Sequence, residues 1–369
     1  MKKQIIAHAS GRINIIGEHT DYNDGFVLPA AIDKKSTFKV WKNGTESTCN
    51  ILSEHFQITH QFDLKDFQPV KSGWENYVMG VVSELQKLGA DLSGFDGSFD
   101  GTVPIGSGMS SSAALECSLA VALNVLFDLG FDNWQLIKAS QMAEHHFVGI
   151  KCGIMDQFAS VMGRKNQVML LDCRSLEFEY FPLELGDYQL LLLDTNVSHS
   201  LANSAYNERR LQCEIGVKAL QQKYPTIVNL RDVSLVKLMG FKKKLSEVVY
   251  NRCKHVISED NRVLAATKAL KAGKLDQLGE LIYESHHSLQ YNYEVSCKEL
   301  DFLVDLTRNE ANILGSRMMG GGFGGCTINI IKKDFVEEFI EKAALAYQTK
   351  FDRTLTPYQV SIEDGITVE

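Results

Sequence analysis

The sequence VPIGSGMSSSAALECSLA, residues 103–120, places a glycine- and serine-rich loop directly before a run of small apolar residues. The run from Ser111 to Leu129 contains good helix formers with apolar side chains on most faces, which predicts a helix buried on several sides. A loop that opens into a helix is a ready anion site, because the first N–H groups of the helix lack internal partners and its dipole favours negative charge. Phosphate is therefore the expected ligand of this loop.

The side chains of the loop suit a phosphate as well as the backbone does. Gly106 and Gly108 would let the backbone approach the anion closely. Ser110, Ser111 and Ser112 offer hydroxyls that can cap the helix, donate to phosphate oxygens or reach a magnesium ion. The loop is neither a Walker A motif nor a Rossmann GxGxxG motif. An ordinary strand-to-helix turn with serine caps is the alternative, but it leaves the length of the serine run unexplained.

Length and charge limit the class of protein. The chain has 369 residues, of which 44% are hydrophobic and 23% charged, so it is long enough for about two domains. The formal net charge of −8 argues against a nucleic-acid or anionic-membrane surface. We therefore expect a globular protein with a small-molecule partner, no nucleic-acid partner and no membrane.

The cysteines and the N-terminus indicate the compartment. The eight cysteines are scattered, with no CxxC pair and no Cys/His group at zinc spacing, and they are typical of reduced thiols. The N-terminal apolar stretch, residues 5–7, is too short for a signal peptide, and no later run approaches a membrane span. We expect a cytoplasmic protein.

The order of predicted elements is mixed. The segment FDGSFDGTV (95–103) alternates in the manner of a half-buried strand, and VMLLDC (168–173) and YQLLLLDTN (188–196) are further strand candidates. Composition becomes Lys/Glu-rich and helical from about residue 205 to 284, after which RMMGGGFGGCTINII (317–331) runs from a glycine loop into a β-branched strand. Strands and helices do not follow a regular βαβ repeat, which predicts an α+β fold.

A second dense motif is GRINIIGEHTDYNDGFVLPAA, residues 11–31. Its β-branched residues Ile13 to Ile16 predict a strand, and Asn23-Asp24-Gly25 predicts a turn. A solvated hairpin turn is the simpler interpretation of this motif. A turn, however, needs only two or three polar residues, and this motif has more.

The extra polar residues suit sugar recognition. Glu18, His19 and Asp21 supply several acceptors and one switchable donor within four positions, which is what reading several sugar hydroxyls requires. Such a site rejects analogues that lack a bonded hydroxyl, because buried groups would be left unpaired. Arg12 adds a fixed cation with planar donors suited to phosphate, although in other surroundings it would be an ordinary surface charge.

Four segments together carry a resemblance to a known family. GRINIIGEHTDYNDGFVLPAAID (11–33) resembles the galactokinase signature, and PIGSGMSSSAA (104–114) resembles the ATP-phosphate loop of the GHMP small-molecule kinases. CGIMDQFAS (152–160) is similar to the catalytic aspartate segment of that family, and RMMGGGFGGCT (317–327) to its third, glycine-rich motif. The segments occur in family order and span nearly the whole chain. GEHTDY is the specific feature for galactokinases, whereas the serine loop and the glycine motif mark the superfamily.

The resemblance implies a fold and an activity. We expect a two-domain α+β GHMP kinase-like fold, with an N-terminal domain at 1–185, a C-terminal domain at 186–369 and the active site in the cleft between them. The implied activity is transfer of the γ-phosphate of MgATP to the C1 hydroxyl of α-D-galactose, giving galactose 1-phosphate and ADP, in galactose catabolism by the Leloir pathway. Galactose and ATP are the expected partners and Mg²⁺ the cofactor, with no obligatory protein partner.

The resemblance also implies roles for individual residues. Asp156 would face the anomeric hydroxyl as the base, and Arg12 would lie between that hydroxyl and the γ-phosphate. The positions that match sugar ligands are Glu18, His19, Asp21, Gly153 and Tyr206, the last in HSLANSAYNERRLQC (199–213). The positions that match ATP ligands are Gly106, Ser107, Gly108, Ser110, Ser111, Ser112, Trp74 and Tyr77. The positions that match magnesium ligands are Ser112 and Glu144.

Simpler structural roles compete with several of these assignments. Asp156 could cap a helix, and Glu144, beside His145 and His146, could lie on a solvated helix face. Trp74 and Tyr77 could be core residues. The glycines at 320–325 could let two backbones pack closely, and we expect no catalytic side chain among them.

Two other functions remain open at this point. One is a sibling kinase acting on N-acetylgalactosamine, arabinose or another sugar, and three departures from the usual family pattern, Ser10, Met109 and Met319, bear on sugar preference. The other is a sensor that binds sugar and ATP without turnover. The presence of Asp156, Arg12 and an uninterrupted SSSAA run argues against the sensor.

Overall fold

The structure is a computed structural model that describes residues 3–197 and 202–369, without the side chains of residues 202 and 203. Its strands are β1 (Gln4–Asn14), β2 (Phe26–Val27), β3 (Pro29–Lys42), β4 (Thr48–Ser53), β5 (Ile58–Asp63), β6 (Phe95–Gly101), β7 (Gln167–Asp172), β8 (Phe178–Pro182), β9 (Tyr188–Asp194), β10 (Ile313–Met318), β11 (Cys326–Lys332), β12 (Thr356–Val360) and β13 (Thr367–Val368). Its α-helices are α1 (Glu75–Lys87), α2 (Ser111–Leu126), α3 (Asn133–Ala143), α4 (Met155–Met162), α5 (Ala202–Gln221), α6 (Leu235–Met239), α7 (Glu247–Lys271), α8 (Leu275–Ser288), α9 (Lys298–Thr307) and α10 (Val336–Phe351). Two five-residue π-helical segments, Glu144–Val148 and Leu289–Tyr293, follow α3 and α8.

The largest sheet has six strands in the order β13-β1-β3-β6-β4-β5. Neighbours are antiparallel except β4 and β6, which are parallel. Helix α2 packs on β1 and β3, and twelve of its sixteen residues are buried, as its all-round apolar composition predicts. The N-terminus of α2 is thereby fixed close to the end of β1.

A second sheet, antiparallel throughout, has the order β10-β11-β9-β12. Helices α8 and α9 pack on β10, and α10 packs on α9. The buried side chains between this sheet and α10 include Leu191, Leu193, Phe339 and Tyr347. A small sheet of order β2-β7-β8 completes the described strands.

The N-terminal and C-terminal halves of the chain are joined by strand pairing and by a common hydrophobic cluster. Strand β13 pairs with β1, and Ile362 forms an isolated bridge with Ile32. One hydrophobic cluster joins residues such as Ile13 of β1 and Ile328 of β11. The last nine residues thus associate with the N-terminal sheet. The domain boundary between residues 185 and 186 stays a prediction.

Most predicted elements lie where the sequence pattern puts them, including the strand candidates that became β6, β7 and β9. The strand predicted for Ile13 to Ile16 is wrong in its bounds, since β1 ends at Asn14. Ile15 and Ile16 stay buried and exchange backbone hydrogen bonds with Leu28, at 3.0 and 3.1 Å. The chain then turns at Gly17, whose φ of +109° is unfavourable for other residues.

None of the helices within residues 3–197 and 202–369 combines the length and the apolar composition that a bilayer-spanning helix needs.

The core around α10 gives a test of the packing. Phe339 is fully buried on α10, so Phe339→Ala should lower the free energy of unfolding by about 3–5 kcal/mol through lost burial and a new cavity. Leu345, on the same helix but 73% exposed, is the control, and Leu345→Ala should cost about 0.5 kcal/mol or less. Urea unfolding followed by circular dichroism measures both. Equal losses for the two variants would contradict this packing.

Candidate active site

The site is built around an ion pair between Arg12 of β1 and Asp156 in the first turn of α4. Arg12 Nε donates to Asp156 Oδ1 at 2.7 Å and Nη2 donates to Oδ2 at 3.0 Å, a bidentate pair. Arg12 is 4% exposed, whereas the Asp156 side chain is 27% exposed. Burial lowers the pKa of Arg12, but the charges of Asp156 and Glu18 outweigh it and hold the pKa above the ordinary value. The guanidinium of Arg12 is therefore charged, and Asp156 is the more exposed partner of the pair.

The backbone around Arg12 joins β1 to the glycine-serine loop. The pairing of β1 with β3 shifts register here, since Ser10 pairs with Lys35 but Arg12 pairs with Ala31, which leaves the extra residues on β3. The backbone N–H of Arg12 then donates to Met109 O at 3.1 Å, and Arg12 Nη1 donates to Gly108 O. Strand β1 is thus joined directly to the glycine-serine loop.

The loop does not end in a serine cap. Ser110 precedes α2 in the left-handed conformation, with φ of +58°, and its hydroxyl donates to Asp156 Oδ2 at 2.5 Å rather than capping the helix. A non-glycine residue in that conformation is uncommon and is found where surrounding structure enforces it. Ser107 is buried, and its hydroxyl donates to Pro104 O at 2.8 Å within the loop. Gly106 is exposed, so its backbone remains open to a ligand.

The glycine segment 320–325 supports this loop by close backbone packing. A Cβ atom at Gly320 would lie 3.1 Å from Gly108 O, and one at Gly325 would lie 3.1 Å from the backbone of Ser107. Both glycines have positive φ, +84° and +76°. These glycines therefore let two backbones pack closely, as considered from the sequence. The close packing lies beside the candidate active site.

Ser112 and Glu144 form a second polar pair. Ser112 Oγ donates to Glu144 Oε1 at 2.9 Å. Glu144 is buried at the start of the π-helical segment, so it does not belong to a solvated helix face. Burial, with the nearby charge of Asp156, raises the pKa of Glu144 to about 7. A bound cation would favour the charged carboxylate.

A wide cleft of about 370 Å³ lies on one side of Ser112. Trp74 and Tyr77 line it, and both are also partly buried against the core under the large sheet. The cleft is also lined by the aromatic and aliphatic side chains of Phe56, Phe99, Ile105 and Leu115, together with His55, Ser111 and Ser112. The interior surface is mainly apolar, which suits a flat aromatic group.

A smaller, polar cleft of about 120 Å³ lies on the other side of Ser112. Its lining residues are Arg12, Glu18, His19, Asp21, Ser112, Glu144, Ile150, Cys152, Gly153, Met155, Asp156, Tyr206, Gly320 and Gly321. The structure thus brings together the sequence candidates for catalysis, sugar binding and magnesium binding in one cavity. Their roles stay predictions.

Asp21 and Gly153 face each other across this small cleft. A Cβ atom built on Gly153 would lie 1.9 Å from Asp21 Oδ2, so a side chain at Gly153 would displace the carboxylate. Asp21 Oδ1 accepts a hydrogen bond from the backbone N–H of Tyr22 at 3.0 Å. Burial, with the nearby charge of Asp156, raises the pKa of Asp21 to about 7.

An aromatic group borders the cleft. His19 Nδ1 and the Tyr22 hydroxyl are 2.7 Å apart, and Tyr22 in turn contacts the Tyr293 hydroxyl at 2.7 Å. The Tyr206 ring lies 5.3 Å from that of His19, centroid to centroid. Burial lowers the pKa of His19 to about 3, so its imidazole is neutral near pH 7. A neutral imidazole offers one donor and one acceptor.

Several residues of the site were not identified from the sequence. Glu18 accepts hydrogen bonds from Arg317 Nη1 and Nη2, each at 3.1 Å, and from the backbone N–H of Gly320 at 2.8 Å. Arg317 is the first residue of the glycine-rich motif, and a charged residue near the end of the apolar strand β10 was the available signal. Tyr22 and Tyr293 depend on contacts between distant segments, and no local pattern marks them.

Three family models match parts of the chain. The galactokinase galactose-binding signature matches residues 1–40, the N-terminal domain of the GHMP kinases matches 76–164, and the C-terminal domain of the GHMP kinases matches 266–348. These matches confirm the resemblance drawn from the four sequence segments.

Curated relatives match over nearly their full length. The galactokinase of Roseiflexus sp. (strain RS-1) is 41% identical over 362 residues, which cover 98% of this chain and 92% of the relative. The galactokinase of Thermotoga maritima is 39% identical over 358 residues, which cover 97% of this chain and 98% of the relative.

Solved structures match the fold. Lactococcus lactis galactokinase complexed with galactose has a TM-score of 0.94 at 35% identity, covering 99% of this chain and 95% of that one. A mevalonate kinase has a TM-score of 0.66 at 16% identity, covering 97% of this chain and 99% of that one, which supports the fold alone. The predicted α+β GHMP kinase fold is confirmed.

The raised pKa of Asp21 predicts a pH-dependent stability in the protein without ligand. An unfolded aspartate titrates near pH 3.8, so between about pH 4 and 7 the folded protein binds the extra proton, and stability falls as pH rises through that range. Asp21→Asn removes the cost of burying an ionised carboxylate at high pH. The substitution should therefore raise the melting temperature at pH 8 but not at pH 4.

Differential scanning fluorimetry at both pH values measures the effect, with Asp91→Asn as the control at an exposed position. The control should shift neither value. An equal shift for Asp21→Asn at pH 4 and pH 8 would contradict the raised pKa.

Proposed function

The chain belongs to the galactokinases of the GHMP kinase family, and we propose that it transfers the γ-phosphate of MgATP to the C1 hydroxyl of α-D-galactose, giving galactose 1-phosphate and ADP. The observation that carries the proposal is the junction of two clefts of different chemistry at Ser112, with Asp156 and Arg12 on the polar side. The similar structure of Lactococcus lactis galactokinase, which is a complex with galactose, supports the choice of sugar.

The polar cleft is the site assigned to galactose. Its carboxylates, Glu18 and Asp21, accept hydrogen bonds from sugar hydroxyls, and neutral His19 supplies one donor or acceptor. The contact between Asp21 and Gly153 fixes one wall of the cleft, because any side chain at Gly153 would move the carboxylate. Tyr206 packs against Gly321 and His19 on the other side.

The wide cleft is the site assigned to ATP. Trp74 and Tyr77 contact the base, and Gly106, Ser107 and Gly108 present backbone to the phosphates at the N-terminus of α2. Ser110, Ser111 and Ser112 continue the phosphate site toward the polar cleft. Because Ser112 lines both clefts, the terminal phosphate is delivered beside the sugar.

Phosphoryl transfer passes through a loose transition state, so positioning and charge stabilisation supply most of the catalysis. Asp156 orients the C1 hydroxyl and accepts its proton late, because a carboxylate is a far weaker base than a sugar alkoxide. Arg12 holds Asp156 by its bidentate pair and stabilises charge on the transferring group. The hydroxyl of Ser110 fixes Asp156 Oδ2 from the side of the loop.

Ser112 and Glu144 fit a magnesium ion. They present hydroxyl and carboxylate oxygens, the hard ligands that Mg²⁺ prefers, and Mg²⁺ sites in kinases commonly use one or two carboxylates together with substrate phosphates. Burial and the charge of Asp156 outweigh the nearby Arg12 and raise the pKa of Glu144, and a bound cation would lower that pKa again. When bound, the ion would neutralise charge on the β- and γ-phosphates.

The role of Asp156 is tested by its removal. Asp156→Ala should lower kcat with galactose by at least about 1000-fold, since both orientation and proton acceptance are lost, while ATP binding by calorimetry stays largely intact. The matched control is Asp276→Ala, because Asp276 also lies in the first turn of a helix, α8, but is exposed. The control should keep wild-type turnover, measured by ³¹P NMR of galactose 1-phosphate. Retained turnover in Asp156→Ala would remove Asp156 from the mechanism.

The metal assignment predicts a change in Mg²⁺ dependence. Glu144→Gln keeps the shape of the side chain but loses its charge, so the Mg²⁺ concentration for half-maximal turnover should rise by about 10-fold or more. The control is Glu247→Gln, at an exposed position in the first turn of α7, which should leave the Mg²⁺ concentration for half-maximal turnover unchanged. Coupled ADP-release assays across a Mg²⁺ titration measure both. An unchanged Mg²⁺ dependence in Glu144→Gln would exclude the residue as a ligand.

A further inference from the structure

Arg317, at the end of β10, is fully buried, and all five of its N–H groups have partners. Nε donates to Ile15 O at 3.0 Å, Nη1 to Met318 O at 2.6 Å, and Nη2 to Asn14 O. The remaining two N–H groups, one on Nη1 and one on Nη2, donate to Glu18 Oε1, each at 3.1 Å. A guanidinium has five donors, so this side chain has no free donor for a ligand.

Glu18 is held at one oxygen and open at the other. Oε1 accepts from Arg317 twice and from the backbone N–H of Gly320 at 2.8 Å. Within the part of the chain that the structure describes, Oε2 receives no hydrogen bond, and Glu18 lines the polar cleft. The two oxygens of this carboxylate therefore have different tasks.

We propose that Arg317 is a positioning residue for sugar recognition, which fixes Oε1 of Glu18 so that Oε2 alone accepts a hydrogen bond from one sugar hydroxyl. This inference rests on the proposed function, since it assigns a selectivity device to the same cleft. Arg317 also holds the carbonyls of Asn14 and Ile15 at the end of β1 and that of Met318 before the glycine segment. The position of Oε2 is thereby set relative to both segments.

Stability alone gives a weaker account of this arrangement. A buried ion pair is costly to desolvate, and replacing such pairs with apolar residues is often neutral or stabilising. Here the pair stands beside a ligand cleft and leaves one acceptor open. Selectivity arises because a sugar without the matching hydroxyl leaves that buried acceptor unpaired, which costs more than the loss of an exposed contact.

The arrangement dictates how glutamine would sit at position 18. Three N–H donors converge on the site of Oε1, so in Glu18→Gln the amide oxygen must occupy that site. The amide NH₂ group then takes the place of Oε2 and faces the cleft. The variant therefore presents a donor where the native chain presents an acceptor.

The first experiment compares sugars in Arg317→Lys. We measure kcat/KM for galactose and for its 2-, 3-, 4- and 6-deoxy analogues. The kcat/KM of galactose divided by that of each analogue is the penalty for losing that hydroxyl. In Arg317→Lys the penalty should fall by about 10-fold at one hydroxyl position only. A factor of about 10 corresponds to the loss of one hydrogen bond to a charged group. The KM for MgATP should stay unchanged. An equal fall at all positions would show a merely structural role and overturn the proposal.

Arg252→Lys is the matched control. Arg252 is also buried and also donates to a glutamate, Glu294, at 2.6 Å and to a backbone carbonyl, but it lines neither cleft. Its replacement should leave the pattern of penalties as in the wild-type protein. The same single-position change in Arg252→Lys would overturn the proposal.

The second experiment uses Glu18→Gln and does not depend on whether Arg317→Lys folds. At each position, the deoxy analogue is compared with the fluorinated one, because fluorine can accept but not donate a hydrogen bond. In the wild-type protein both analogues should be equally poor at the position Glu18 reads. In Glu18→Gln the fluorinated sugar should become the better substrate at that position, the same one found with Arg317→Lys.

The outcomes separate this inference from the function it rests on. Absence of wild-type turnover with galactose would refute the proposed function. Normal wild-type turnover with an unchanged ranking of fluorinated and deoxy sugars in Glu18→Gln would refute the role of Arg317, because the amide would then be free to turn its oxygen toward the cleft.

Discussion

The ion pair of Arg12 and Asp156 is the interaction on which the rest of the site depends. Arg12 is the buried partner, so its guanidinium depends on Asp156 for a compensating charge. The pair joins the end of β1 to the start of α4, and further donation from Arg12 to Gly108 O and from Ser110 to Asp156 adds the glycine-serine loop. Three segments far apart in the sequence are thus set around one carboxylate.

The site concentrates carboxyl groups whose charged forms the protein alone does not fully stabilise. Asp21, Glu144 and Asp156 line the same small cleft, and the pKa values of Asp21 and Glu144 are both raised to about 7 by burial and by Asp156. Sugar hydroxyls and a cation are the groups that relieve such a cluster, by donating hydrogen bonds and by supplying positive charge. The cost in stability is consistent with a site arranged for ligands rather than for the folded state alone.

Part of this could be predicted from the sequence. The buried helix α2 follows from its composition, and the polar excess of GEHTDYNDG pointed to Glu18, His19 and Asp21, which line one cleft. Sequence reasoning could not find the left-handed Ser110 bound to Asp156, because a cap at that position fits the local pattern equally well. It also missed Arg317 and the return of β13 to β1, since both depend on contacts between segments about 300 residues apart or more.

The most direct measurement of the central claim is the rate of ADP release from MgATP by the purified protein with a panel of galactose, N-acetylgalactosamine, glucose, mannose and arabinose. We expect strong turnover with galactose and little with the other sugars, because the carboxylates of the polar cleft are placed to accept hydrogen bonds from particular hydroxyls. Strong turnover with a different sugar would agree with membership of the kinase family but would contradict galactose as the substrate. No turnover with any sugar, with galactose and ATP still bound in calorimetry, would contradict the catalytic role of the pair at the centre of the site.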